Sequence, residues 1–346
     1  MKNDKNALQD SVIKYCSSIG ANALLVQGAG GNVSWKDEDT LWIKASGTCL
    51  AEAAKKDIFV AVDLPHLRIA IKNGDFSVTP KLCADSKLKP SIETLLHALM
   101  PHQVVVHLHA IEILAHLVRD NFQSDFKLQV DTSIHWTLVD YHKPGAALTS
   151  AVSAALEQKP SANVVFLANH GIVVGGNSIA QIEQTLNTLI SNLGTAAYSD
   201  LKKSQHAFQH IKQTAPDKYN SYFPIQDDEL HQLALRMDLF NQLQNNWALY
   251  PDHVVFLGAQ AYIYKSWEAF QIDNEIKNES PELIFIQACG VFVKNTFNLA
   301  KQSQLRCYYE VLLRQKNYSA LKTLTEAQVA ELLNWDAEKY RLNLSK

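Results

Sequence analysis

Val104-Val105-Val106-His107-Leu108-His109 sets three β-branched residues ahead of two histidines separated by one leucine. β-Branched side chains favour a pleated surface, and a short apolar run of this kind reads as a buried strand. Successive side chains of a strand alternate faces, so the two histidines share one, about 6.6–6.8 Å apart along the backbone. Imidazoles so placed can lean together on one metal ion, with Zn–N bonds of about 2.0–2.1 Å. A helix would send the same pair to nearly opposite sides. The strand is therefore what makes a chelate of them; the plainer alternative is two satisfied, non-ligating histidines.

The stretches around this strand supply candidates for the rest of a site. Downstream, Val164-Val165-Phe166-Leu167-Ala168 reads as a second buried strand that delivers Asn169-His170-Gly171 at its end. Glycine lets the chain turn there, so His170 is a natural third ligand. Upstream, Pro90-Ser91-Ile92-Glu93 opens a helix with Ser91 as N-cap, a stripe of Ile92, Leu95, Leu96 and Leu99, and Pro101 at its end. Glu93 falls off that stripe in the first turn, where a carboxylate suits the helix dipole. Its further interest is that a short helix–turn–strand unit could carry it near the two histidines.

Nearer the start, Gln27-Gly28-Ala29-Gly30-Gly31-Asn32-Val33-Ser34 has a backbone able to turn its N–H groups toward an anion. It is not a P-loop, since no Gly-Lys-Ser/Thr follows, nor the dinucleotide fingerprint, since Val33 stands where the third glycine belongs. Val33–Trp35 and Thr40–Lys44 flank a turn and predict a hairpin, with Ala45-Ser46-Gly47-Thr48 at its exit.

The remaining pattern predicts a helix over 7–20, a strand over Ile58–Val62 and a helix after Asp63-Leu64-Pro65. Thr79–Lys89 reads as polar loop. Ile111–Val118 reads as a helix with Glu112 and His116 partly solvated, 139–145 as a strand end entering a loop, and 147–157 and 178–203 as helices. His206 and His210 lie four apart on helix, but no glutamate follows His206, so the zinc-protease pattern fails. A polar Pro/Tyr-rich stretch over 213–228 marks a domain boundary, giving domains 1–215 and 216–346. Beyond it come a helix over 228–248, strands near His253–Leu257 and Ile284–Val293, and helices near 298–315 and 324–343, a smaller α/β subdomain.

With 346 residues, 47 % apolar and 19 % charged, the composition is that of a soluble globular protein with ample capacity for a core. A net charge of −3 gives no electrostatic case for nucleic acid or an anionic membrane as partner. No apolar run suggests a signal peptide or a membrane span. Five scattered cysteines, never C-x-x-C, fit reduced thiols in a cytoplasmic protein.

Taken together, G-x-G-G-N-x-S at 28–34, A-S-G at 45–47, P-S-x-E at 90–93, H-x-H at 107–109 and N-H-G at 169–171 resemble the class II aldolase/adducin family. The closer wording of 44–48, 90–99 and Pro251-Asp252-His253-Val254-Val255-Phe256-Leu257-Gly258 is similar to the aldolase portion of bifunctional rhamnulose-1-phosphate aldolase/alcohol dehydrogenases, without the dehydrogenase half. The resemblance implies a three-layer α/β/α fold with a mostly antiparallel central sheet, in a homo-oligomer, commonly a tetramer. It implies zinc, or another divalent metal, on His107, His109 and His170. Glu93 would be the acid/base, and Gly31, Asn32, Ser46, Gly47 and Ser91 would surround a substrate phosphate. Ile92 departs from the pattern of two consecutive hydroxyl residues and removes one phosphate donor.

The implied reaction cleaves a ketose 1-phosphate, of the rhamnulose or fuculose type, to dihydroxyacetone phosphate and an aldehyde through a metal-stabilised enediolate. The same scaffold hosts sugar-phosphate 4-epimerases and dehydratases. Glu93 favours the aldolase, since epimerases tend to carry aspartate there, while Asp131 offers the epimerase a second proton carrier. Adducin-like structural members lack the histidines that this chain keeps.

Overall fold

The computed structural model describes residues 2–195, 219, 221–277, 280–333 and 335–337. The chain divides into two compact units, Met1–Gly194 with Asn334–Lys346, and Thr195–Leu333. The expected boundary at 215/216 lies outside the described residues, as do His206 and His210.

The first unit opens with helix α1 (Lys2–Gly20), then the hairpin β1 (Asn32–Asp37) and β2 (Thr40–Lys44). Strand β3 (Phe59–Asp63) runs straight into α2 (Leu64–Lys72), because the Asp63 carboxylate accepts the His66 N–H and proline occupies the first turn. Next come α3 (Thr94–Leu99), β4 (Val104–Leu108), α4 (Ile111–Leu117), α5 (Phe122–Gln129), β5 (Trp136–Val139) and α6 (Ala146–Gln158). β6 (Val164–Leu167), β7 (Gly171–Gly176) and α7 (Ile179–Leu193), capped by Ser178, complete it. The helix expected to 203 ends instead at Leu193, where Gly194 (φ −55°, ψ 119°) leaves helical conformation; 196–203 lie outside the described residues.

The seven strands form one sheet in the order β3-β2-β1-β4-β7-β6-β5, antiparallel throughout except β5 against β6. Alternation along each strand divides its residues between two cores. Val104, Val106 and Leu108 of β4 join the core built with α1, α4, α5 and α7, whereas Val105 joins one built with Leu96, Met100, Leu148 and Val152 on the α3/α6 side. His107 therefore shares the α3/α6 face with Val105. His116, expected to be partly solvated, is buried, with Nε2 2.7 Å from the Leu193 carbonyl. The covering element is α7, far along the chain, which packs on α4.

In the second unit β8 (Phe223–Pro224), β9 (Ile263–Tyr264), β10 (Leu283–Ile286) and β11 (Gly290–Val293) form a separate sheet in the order β8-β11-β10-β9. The segment expected as strand over Ile284–Val293 is thus the β10–β11 hairpin. The helix expected over 228–248 is broken into α8 (Gln232–Leu235) and α9 (Met237–Asn245), because Arg236 is extended (φ −102°, ψ 122°). Periodicity does not report a one-residue interruption. The strand expected near His253–Leu257 is instead helix α10 (Pro251–Leu257). A short apolar run is ambiguous between buried strand and buried helix. Here Pro251 in the first turn and Gly258 (φ +89°) just past the end were the deciding signals. The unit is completed by α11 (Trp267–Lys277), α12 (Leu299–Leu313) and α13 (Glu326–Leu333). Among the described residues no helix is long and apolar enough to cross a membrane.

Candidate active site

His107 sits within β4 and His109 one residue past its end, so the strand carries the pair to the end of the sheet. His170 reaches the same place from the turn between β6 and β7. That turn works because Asn169 takes the left-handed conformation (φ 52°), which asparagine tolerates, and the His170 N–H donates to the Leu167 carbonyl (3.1 Å). Gly171 follows of necessity. A Cβ there would lie 2.4 Å from the Leu108 carbonyl oxygen and 3.1 and 3.3 Å from ring carbons of His109 and His107.

The three imidazoles are buried, and one ligand atom from each lies within 4.8 Å of the others. Their ring centroids are 4.8–5.2 Å apart. Nδ1–H of His107 donates to the Ile172 carbonyl (3.1 Å), which leaves Nε2 as its ligand atom. That Nε2 lies 3.1 Å from Nε2 of His109. Two nitrogens on one tetrahedral zinc, at bonds of about 2.0–2.1 Å, stand roughly 3.3 Å apart, so the donor set fits a divalent ion.

Glu93 completes the cluster. It is 5 % exposed; Oε2 lies 3.6 Å from Nε2 of His107, and Oε1 3.6 Å from Nε2 of His170. The Asn32 side-chain amide donates to Oε2 (2.8 Å). Burial alone would raise this carboxyl, but His107 and His170, then the Asn32 hydrogen bond and His109, outweigh it and hold it at about 2. Glu93 is not within the first helical turn, as expected, but is the N-cap of α3 (φ −99°, ψ 17°). Ser91 starts the turn one step earlier: its hydroxyl accepts the Glu93 N–H (3.2 Å), and its carbonyl accepts the N–H and hydroxyl of Thr94 (3.1 and 2.6 Å). This turn directs the carboxylate inward, not to solvent.

The other expected site residues lie on loops that are tied together. Buried Lys44 donates from Nζ to the carbonyls of Ala29 (3.0 Å) and Thr48 (2.7 Å), joining the glycine-rich loop to the Ala45–Thr48 turn. The Ser46 N–H donates to the Lys89 carbonyl (2.8 Å), and Ala45 bridges to Pro90, which brings that turn beside Ser91. Gly31 (φ +61°) and Gly47 (φ +77°) take conformations suited to glycine. Asn32 and Ser91 both spend side-chain hydrogen bonds on Glu93. Lys44 was not singled out as a site residue from the sequence; the available signal was a cation ending a strand directly before Ala45-Ser46-Gly47. Asp131 is exposed, with its carboxylate held in a local turn by Ser133 (2.8 and 2.7 Å).

Residues 10–191 match the model of the Class II Aldolase and Adducin N-terminal domain. The uncharacterized oxidoreductase YuxG of Bacillus subtilis (strain 168) is 26 % identical over 240 residues, which are 65 % of this chain and 33 % of that protein. The chain thus spans about a third of the length of this curated relative. Among solved structures, the N-terminal Class II Aldolase domain of a conserved protein from Thermoplasma acidophilum is 23 % identical, with a TM-score of 0.45, covering 53 % of this chain and 91 % of that one. The l-fuculose-1-phosphate aldolase from Thermus thermophilus is 15 % identical, with a TM-score of 0.37, covering 57 % and 97 %.

Proposed function

The chain belongs to the class II aldolase and adducin family, and from that premise we propose that it is a zinc-dependent aldolase cleaving a ketose 1-phosphate to dihydroxyacetone phosphate and an aldehyde. The observation that carries this reading is the meeting of three buried imidazoles with a buried carboxylate 3.6 Å from two of them. His107, His109 and His170 would hold the ion. When bound, it supplies Lewis acidity for the negative charge that grows as the carbon–carbon bond breaks.

Glu93 is the proton carrier at the dihydroxyacetone end. As a carboxylate it removes the carbon-bound proton in the condensation direction and returns it in cleavage; such help is typically worth about 10²–10⁴-fold. The Asn32 amide orients the carboxylate through Oε2. The turns at 28–32 and 45–48, with the Lys44 cation behind them, and Ser91 anchor the phosphate and set the reacting bond over the imidazoles. The wording of 44–48 and 90–99 makes L-rhamnulose 1-phosphate the first substrate to try. Asp131, held in its own exposed turn, lends no support to the epimerase alternative. We further propose a cytoplasmic homo-oligomer.

The test is metal analysis of the purified protein coupled to a dihydroxyacetone-phosphate release assay over a panel of ketose 1-phosphates. One zinc per chain and release from one of the panel is the expected result. Zinc without release from any of them would pass the scaffold to the epimerase or dehydratase reading, and a protein that binds no metal would pass it to the adducin-like one.

A further inference from the structure

Strand β1 carries Val33 and Trp35 on one face, inside the main core, and Asn32, Ser34 and Lys36 on the other. All three polar residues are buried, and each grips a successive part of the segment that carries Glu93. The Asn32 amide holds the Glu93 carboxylate (2.8 Å). The Ser34 hydroxyl lies 2.7 Å from Nδ1 of the fully buried His97. Lys36 donates from Nζ to the carbonyls of His97 (3.1 Å), Met100 (2.6 Å) and His102 (2.8 Å).

Glu93 and His97 are one helical turn apart, joined by the His97 N–H donating to the Glu93 carbonyl (3.1 Å). The strand's step of two residues is thus matched to the helix's step of four. Lys36 Nζ closes the carbonyl end of α3, where free acceptors favour a donor, while burial pushes its pKa down to about 7. A helix of six residues cannot hold itself in water, so the placement of α3 must be imposed from outside. The same β1 is hydrogen-bonded along its edge to β4, with Asn32 directly opposite His107. One strand therefore touches both the carboxylate segment and an imidazole-bearing strand.

We propose that Ser34 and His97 are positioning residues: the Asn32–Ser34–Lys36 ladder sets where the Glu93 carboxylate stands against the three imidazoles, and through Glu93 it sets the affinity of that centre for a divalent cation. This rests on the reading of His107, His109 and His170 as metal ligands. Neither Ser34 nor His97 touches the ion or the substrate in this account. Their effect passes entirely through Glu93.

The test is a double-mutant cycle between Ser34→Ala and Glu93→Gln, read as Zn²⁺ affinity of the full chain by competition with a chromogenic chelator. Partners behind a metal centre typically contribute about 10–100-fold in affinity. Ser34→Ala is expected to weaken Zn²⁺ roughly tenfold in the otherwise unaltered chain and less than about twofold in the Glu93→Gln background. His97→Leu should behave as Ser34→Ala does. Ser34→Thr and His97→Asn, which keep a hydrogen-bonding group in place, should recover affinity to within about threefold. A purely structural contact would give equal losses in both backgrounds, and that result overturns the proposal. So does unchanged affinity in both Ser34→Ala and His97→Leu. A chain that binds no Zn²⁺ at all removes the metal reading itself and this inference with it. Because the readout is the metal alone, the outcome is independent of which reaction the protein catalyses.

Discussion

In the first unit three buried imidazoles face one point beside a buried carboxylate, whereas in the second His231 and His253 are buried but join no cluster of ligand atoms among the described residues. His231 bridges backbone: Nε2–H donates to the Ile225 carbonyl (3.0 Å), and Nδ1 accepts the Val291 N–H (3.0 Å). His253 stands edge-to-face against Trp247, Tyr250 and Tyr308, with ring centroids 4.3, 5.4 and 4.7 Å away. Neither of its ring nitrogens has a hydrogen-bond partner among the described residues. Burial is common to all of these histidines. What separates a candidate ligand from a core residue is whether other donors aim at the same spot.

The comparison can be broken most severely at the cluster. His109→Ala should take zinc from one per chain to near none and abolish cleavage, read by metal analysis and product release. Glu93→Gln should still bind one zinc at saturation while turnover falls by about 10²–10⁴-fold. Full activity in either variant would put the three imidazoles in the same class as His253.

In the second unit the effects should be on stability alone. His231→Ala strands the buried Val291 N–H and the Ile225 carbonyl and should cost about 1–3 kcal/mol in denaturant unfolding, with metal content unchanged. The smallest effect is expected at His253. His253→Phe keeps the aromatic contacts and removes two unpartnered ring nitrogens, so it should change stability at pH 7 by less than about 1.5 kcal/mol.

Its larger signature is in acid. Burial pushes His253 down to about 3 from an ordinary 6.5. Between those values the unfolded chain binds a proton that the folded chain refuses, so the wild type loses stability as pH falls through this window. The slope from this residue approaches about 1.4 kcal/mol per pH unit. His253→Phe should remove that share. His97, pushed down to about 3 chiefly by burial, adds a parallel share that persists in the variant.

Much of the first unit was legible because short-range chemistry encodes it. Asp63-Leu64-Pro65 marks the start of α2, the alternation around Lys36-Asp37-Glu38-Asp39 marks the β1–β2 hairpin, and Asn169-His170-Gly171 marks a turn that only glycine can close. Legibility failed where a residue's neighbours come from elsewhere in the chain. Glu93 was expected near the histidines, but not its N-cap position on α3 nor the Asn32 amide, 61 residues away, that holds it. His116 was expected to be partly solvated, yet α7 buries it. Lys36 fell in the stretch between the two expected hairpin strands, although it lies within β1 and its buried Nζ closes α3.

By itself the sequence determined which residues share a strand face, where helices α2 and α7 start, and which imidazoles were available as ligands. These depend on local periodicity and turn chemistry, which act over a few residues. Only the tertiary structure decided that a carboxylate 61 positions from its amide partner would be buried beside them, and that a run of apolar residues after Pro251 would coil and not extend. Those outcomes follow from strand order and from what packs on each face, which no window of the sequence contains.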